Sequence, residues 1–419
     1  MRSFRSVFVA VFVATALVVA AFLVQARRPR VEVLQARPEA VRATGKCAAC
    51  HREETAAIVQ EYELSRHAAT GTTCLDCHGA VEGQDRLDHR GFVLARQVTA
   101  KNCSQCHATE YQEFLRSRHA APAYAAVLGP SAFTPDQVAF SEQYNPGAVR
   151  RPPNPLTGIE GNAAIASGCI SCHSVGQPNK DGSIGACTAC HTRHRSSVAL
   201  ARLPETCGQC HMGPDHSQLE IYSESKHGIL FNAFRGEMNL DAPPRRLAVA
   251  DMPVPTCSTC HMSGLGGGPP THDAGTRLSY YLFAEESQRR PTYRGGRDAM
   301  TAVCANCHAA TQTTRFFEQA ERVVETVNQR VHEGQAVMAD LRGRGLLTPT
   351  ALDEPIEYTY FDFWHYAGRT AKHGAFMGGA DFVQWHGNYE LVKGIVELKA
   401  QAAELRSRGT KAVAGEDAR

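Results

Sequence analysis

All sixteen cysteines of this 419-residue chain fall in one five-residue pattern, Cys-x-x-Cys-His, repeated eight times. The first cysteines are Cys47, Cys74, Cys103, Cys169, Cys187, Cys207, Cys257 and Cys304. The second are Cys50, Cys77, Cys106, Cys172, Cys190, Cys210, Cys260 and Cys307, followed by His51, His78, His107, His173, His191, His211, His261 and His308. Two thiols at this spacing can add to the two vinyl groups of a haem, and the adjacent imidazole then ligates the iron from one side. A lone Cys-x-x-Cys reads equally well as a disulfide, a zinc knuckle or a thioredoxin-like redox pair. Eight copies, each with its histidine and with no cysteine left over, exclude those readings. The chain is expected to carry eight covalent haem c groups, with the eight motif histidines as proximal iron ligands.

Eleven further histidines lie outside the motifs. Electron-transfer haems commonly take a second axial imidazole, so up to eight of these are in demand. His67, His89, His119, His194, His227, His272 and His373 are the distal candidates, and on residues alone His216 belongs with them. Ser65-Arg-His67, Ser117-Arg-His119 and Ser225-Lys-His227 repeat one local setting, which predicts a shared helical presentation of the ring. The histidine count allows full six-coordination and equally allows one open haem. It therefore fits both an enzyme and an electron conduit with no substrate of its own.

Hydrophobic residues make up 43% of the chain but aromatics only 7%. A chain this poor in large side chains is badly equipped to fill one large core, and haem faces would supply the missing apolar surface. The net charge of +2 gives no reason to expect nucleic acid as a partner. Eight ferric haems with ionised propionates would bring the whole to about −6. The N-terminus has a basic start and an apolar run from Val7 to Val24, which together mean export. Roughly 18 apolar residues approach the length of a bilayer span. Residues 1–30 are thus expected to be a signal or membrane anchor, holding the haem region on the periplasmic side of the bacterial inner membrane, or releasing it to the periplasm if cleaved. Residues 31–311 form the octahaem-binding region. Residues 312–419 hold no cysteine, and two stretches with helical periodicity, Thr313 to Leu347 and Gln384 to Ser407, predict long helices packing on the haem core. No run of alternating strand residues is evident. The fold class expected is mainly α: a multihaem cytochrome c fold, with loops and short helices wrapped around a haem core.

The block Cys187-Thr-Ala-Cys-His-Thr-Arg-His194, then Cys207-Gly-Gln-Cys-His-Met-Gly-Pro-Asp-His216 and Ser223-Glu-Ser-Lys-His-Gly228, resembles the hydroxylamine oxidoreductase family of octahaem cytochromes c. So does His373-Gly-Ala-Phe-Met-Gly-Gly-Ala-Asp-Phe-Val-Gln-Trp-His-Gly387, and the likeness covers most of the chain after residue 45. The resemblance implies that the haem on Cys169 and Cys172, with His173 as proximal ligand, is catalytic and open on its distal face. It makes Asp215 and His216 the polar pair on that face, suited to moving protons while hydroxylamine or nitrite exchanges electrons. Oxidative members of the family carry a tyrosine cross-linked to the catalytic haem of a neighbouring subunit. Here Phe382 stands at the motif position, with Tyr358, Tyr360, Tyr366 and Tyr389 nearby, so the resemblance implies hydroxylamine oxidation, or reduction of nitrite or hydroxylamine to ammonium if the cross-link is absent. The family also implies a homotrimer. A cytochrome c or a membrane quinone oxidoreductase is the redox partner expected.

Overall fold

The computed structural model describes residues 12–19, 40–265 and 267–416, with side chains to residue 408. It is mainly helical, as the sequence predicts. Most helices before residue 310 are one to three turns long, and they wrap a continuous interior cavity of about 3870 Å³. The segment read as an anchor lies mostly outside the described residues. Within them, no helix is long and apolar enough to cross a membrane.

The haem-binding motifs themselves shape the short helices. Cys74–His78, Cys169–His173 and Cys257–His261 are each a single helical turn. One turn is what the chemistry needs, because positions i, i+3 and i+4 share a face, so both thiols and the imidazole point the same way. Other motifs keep that turn without a full helix. The His107, His191, His211 and His308 amides each donate to the carbonyl of the first cysteine four residues back. Threonine starts several of these turns: Thr73, Thr99 and Thr256 all close capping boxes just ahead of a motif.

One short antiparallel hairpin departs from the all-helical expectation. Arg86–His89 pairs with Phe92–Ala95 through a two-residue turn at Arg90 and Gly91, both at positive φ. Such turns usually announce themselves as Asn-Gly or Asp-Gly, and an arginine in the first position hid this one. The hairpin has a function in the fold, since its tip carries His89.

Three separate apolar clusters take the place of one core. The largest joins the 34-residue helix Ala310–Gly343, the helix Pro355–Asp362 and the helix Glu390–Glu416, through Val327, Val331, Leu341, Ile356, Phe363, Leu391 and Leu398. The other two centre on Leu115, Val149 and Ile184, and on Phe231, Met238 and Leu240. Both long helices fall where the periodicity places them. The C-terminal region does more than pack, however. Between its two long helices the chain forms a π-helical turn, Phe363–Gly368, and the helix Arg369–Met377, and both present side chains to the cavity.

Candidate haem array and polar site

Shared among eight motifs, the cavity amounts to about 480 Å³ each, within the range of a pocket for one bound organic cofactor. All eight motif histidines line it. Two imidazoles ligating one iron from opposite faces need their nitrogens about 4 Å apart, which puts the ring centroids about 6 Å apart. Five one-to-one pairs of motif and non-motif histidines meet that spacing: His51 with His89 at 6.1 Å, His78 with His194 at 6.1 Å, His107 with His67 at 6.1 Å, His191 with His272 at 6.3 Å, and His308 with His227 at 5.9 Å. The residues present therefore fit bis-histidine haem. His119 stands 5.8 Å from His211, with the two Nε2 atoms 3.5 Å apart, and it is also close enough to His261 to act on its charge. His373 packs 4.8 Å from the Phe283 ring, and no motif imidazole stands against it among the described residues. The positive charges of Lys372, Arg369, His211 and His216 reach it. His119 thus lies near both His211 and His261, His373 lies near His211 and His216, and the His216 ring is itself 6.2 Å from that of His211.

Serine capping accounts for two of the three repeated Ser-x-His settings. Ser65 Oγ accepts from the Ala68 amide and Ser225 Oγ from the Gly228 amide, so His67 and His227 become the second residues of helices. Ser117 departs from the expectation: its hydroxyl accepts from the His119 amide in a tight turn, and the next helix begins only at Ala121. All three serines are buried. Gly228 is required by close approach, since a Cβ there would come within 1.9 Å of the Tyr222 carbonyl oxygen.

Adjacent motifs touch. Cys103 lies beside Cys187, Cys207 beside Cys257, and Cys172 beside Cys210. These contacts join the third motif to the fifth, and the sixth to the fourth and the seventh.

His173 is held by the backbone of an earlier helix. Its Nδ1 lies 2.5 Å from the Ala123 carbonyl, which can only accept, so the ring proton sits on Nδ1 and Nε2 is free to ligate. No second imidazole stands against it among the described residues.

Asp215 and His216 line the same cavity. His216 Nδ1 donates to Asp215 Oδ1, and Asp215 Oδ2 lies 3.5 Å from Arg369 Nη1 and 3.9 Å from His365 Nε2. Burial pushes the Asp215 carboxyl up. The hydrogen bond from His216, with the neighbouring charges of which Arg369 is one, outweighs it and holds the carboxyl below its ordinary range. Glu160 connects this cluster electrostatically to the His173 motif, since its charge reaches both the Cys169 thiol and Tyr366, and Tyr366 also feels Asp215. Arg369 and His365 escape the sequence reading because they come from a region whose periodicity speaks only of packing, and Tyr366 enters it only as one of the tyrosines near the cross-link position. The i, i+4 spacing of His365 and Arg369 was the available signal. The remaining histidines have exposed carboxylate partners, His332 with Glu286 and His386 with Asp381.

Comparison with known proteins agrees with this picture. Residues 70–355 match the family described as "Seven times multi-haem cytochrome CxxCH". A "Probable nitrite reductase-hydroxylamine oxidoreductase fusion protein" of Kuenenia stuttgartiensis is 24% identical over 373 residues, covering 74% of this chain. The match takes in 39% of that relative's length. Among solved structures, a "Hypothetical multiheme protein" superposes with a TM-score of 0.74 at 22% identity, over 91% of this chain and 99% of the other. A Kuenenia stuttgartiensis reducing HAO-like protein complex superposes with a TM-score of 0.65 at 21% identity, over 88% of this chain and 86% of the other. With eight Cys-x-x-Cys-His motifs turned toward one cavity and a family match over more than half its length, the chain belongs to the multihaem c-type cytochromes.

Proposed function

We propose that this chain is an octahaem oxidoreductase of small nitrogen compounds, acting outside the cytoplasm. The observation that carries it is the polar group of Asp215, His216, His365 and Arg369 gathered at the cavity that the haem motifs line. Five motif histidines have one facing imidazole, His211 has two, His119 at 5.8 Å and His216 at 6.2 Å, and neither His173 nor His261 has one among the described residues. The family resemblance implies that the open position is the one at Cys169 and Cys172. Bound haem would supply electron storage and, at the open position, a face for the substrate.

The chain's own residues supply proton handling. The Asp215 carboxylate keeps a proton on His216 Nδ1 and leaves Nε2 as the group that exchanges protons with a substrate. The Kuenenia relative carries nitrite reductase and hydroxylamine oxidoreductase in its name, which supports a nitrite or hydroxylamine substrate. Phe382 at the position of the family's tyrosine favours the reductive direction. The touching motifs suit electron delivery from a cytochrome c or a membrane quinone oxidoreductase.

The test is electron paramagnetic resonance of the oxidised holoprotein. About one haem in eight high-spin, with that signal altered by hydroxylamine or nitrite, is the expected result. An entirely low-spin spectrum indifferent to both ligands would make the protein an electron conduit and remove the catalytic reading.

A further inference from the structure

The Asp215–His216 pair does not stand alone, and the groups behind it have a chemistry of their own. Arg369 Nη1 lies 2.6 Å from His365 Nε2 and 3.5 Å from Asp215 Oδ2. A guanidinium has only donors, so His365 Nε2 must accept, its proton resides on Nδ1, and the ring is neutral. The same guanidinium donates through Nε to the Phe283 carbonyl at 3.0 Å, and it lies 5.0 Å from the Trp364 ring. Thr370 Oγ1 in turn donates to the Pro214 carbonyl at 3.1 Å, tying the start of the Arg369–Met377 helix to the loop that carries Asp215. Asp215 is the one carboxylate at ion-pair distance from Arg369 among the described residues.

We infer that His365 and Arg369 are a positioning pair: His365 aims the guanidinium, and the guanidinium fixes Asp215 so that its other oxygen faces His216. This rests on the reading of Asp215 and His216 as the proton-handling groups.

The geometry separates this role from a direct part in proton exchange. Each carboxylate oxygen has a different partner, His216 on Oδ1 and Arg369 on Oδ2, so the carboxylate plane is set from both sides. Burial, and after it the charge of Arg369, pulls His365 down to about 3, so it stays neutral across the working pH range and exchanges no proton there. Burial lowers Arg369 only to about 10, which leaves it a cation. The π-helical turn supplies the spacing: His365 lies inside it, Arg369 begins the following helix, and π-helical insertions recur at functional sites.

The experiment uses holoprotein with confirmed haem content and compares D215N, R369Q, H365L and H365Q. Reduction of hydroxylamine and of nitrite is followed with a dye electron donor against pH, alongside optical titration of each ligand. The expected result is a fall in kcat of about tenfold to a hundredfold for H365L and R369Q, with ligand affinity little changed. The acid limb of the R369Q pH profile moves to higher pH, because Asp215 loses its neutralising partner. H365Q, whose amide oxygen can accept from Arg369, recovers most of the H365L loss. Wild-type rates and pH profiles for both H365L and R369Q, with D215N inactive, would overturn the positioning role and leave the Asp215 reading intact. A fully active D215N would remove that reading and the positioning role with it.

Discussion

The His78 and His194 rings lie 6.1 Å apart with their planes within 18° of parallel, although His78 belongs to the second haem motif and His194 follows the fifth. A gap of that width and parallel disposition is what two axial imidazoles leave around one iron. It shows how segments remote in sequence complete each other's sites. H194A is expected to convert one low-spin haem to high-spin, adding about one haem in eight to the high-spin fraction. Magnetic circular dichroism or paramagnetic resonance of the oxidised protein reads this directly, and an unchanged spin balance would count against the pairing.

The mass of the denatured holoprotein should exceed that of the chain by eight haems, since thioether attachment survives unfolding. Replacing Cys304 and Cys307 together by alanine should lower the count by one. A mass that stays at eight, or starts below it, would contradict the attachment assigned here.

Gly228→Ala tests the capped presentation of His227. The added Cβ meets the Tyr222 carbonyl, so the helix start must shift and carry His227 away from His308. The haem at Cys304 and Cys307 should then lose its second ligand, seen as a new high-spin signal. S225A, which removes only the cap, should cost about 1 kcal/mol in denaturant unfolding and leave the spin state unchanged.

Asp215 gives a pH dependence of definite sign. Its folded carboxyl sits below the ordinary value of 3.8, so its charge stabilises the fold fully above that value, and the contribution is lost as pH falls through the lower, folded value. D215N should therefore flatten the stability curve below about pH 4, measured by denaturant midpoints across that range. If the slopes of the variant and the parent coincide there, the carboxyl is not held down by its neighbours.

Leu398 is fully buried among the C-terminal helices. L398A should lower unfolding stability by about 2–5 kcal/mol while the haem spectrum of the folded protein stays as it was. A changed spectrum would mean that this cluster and the haem array are not packed independently.

The sequence is readable here in proportion to how strictly chemistry limits it. Haem attachment by Cys-x-x-Cys-His has a fixed spacing, so all eight motifs can be read directly, and the long apolar periods of Ala310–Gly343 and Glu390–Glu416 are equally plain. His89 was singled out, but the hairpin that presents it was not, because Arg90 and Gly91 form an uncommon turn. Histidine pairing is a tertiary property: nothing local in the sequence says that His272 will meet His191. Arg369 and His365 were missed for the same reason, since their meaning comes from a loop more than a hundred residues earlier.

With haem bound, every such histidine pair would close a circuit in the chain, anchored by thioethers at one end and by a coordinate bond at the other. The His78–His194 and His119–His211 circuits enclose long stretches of backbone, as disulfides do in small secreted proteins. A coordinate bond dissolves, however, when its imidazole takes up a proton. Acid should therefore unlace the molecule while leaving every haem covalently in place, and neutralisation should let the same rings find their irons again without any sulfur chemistry.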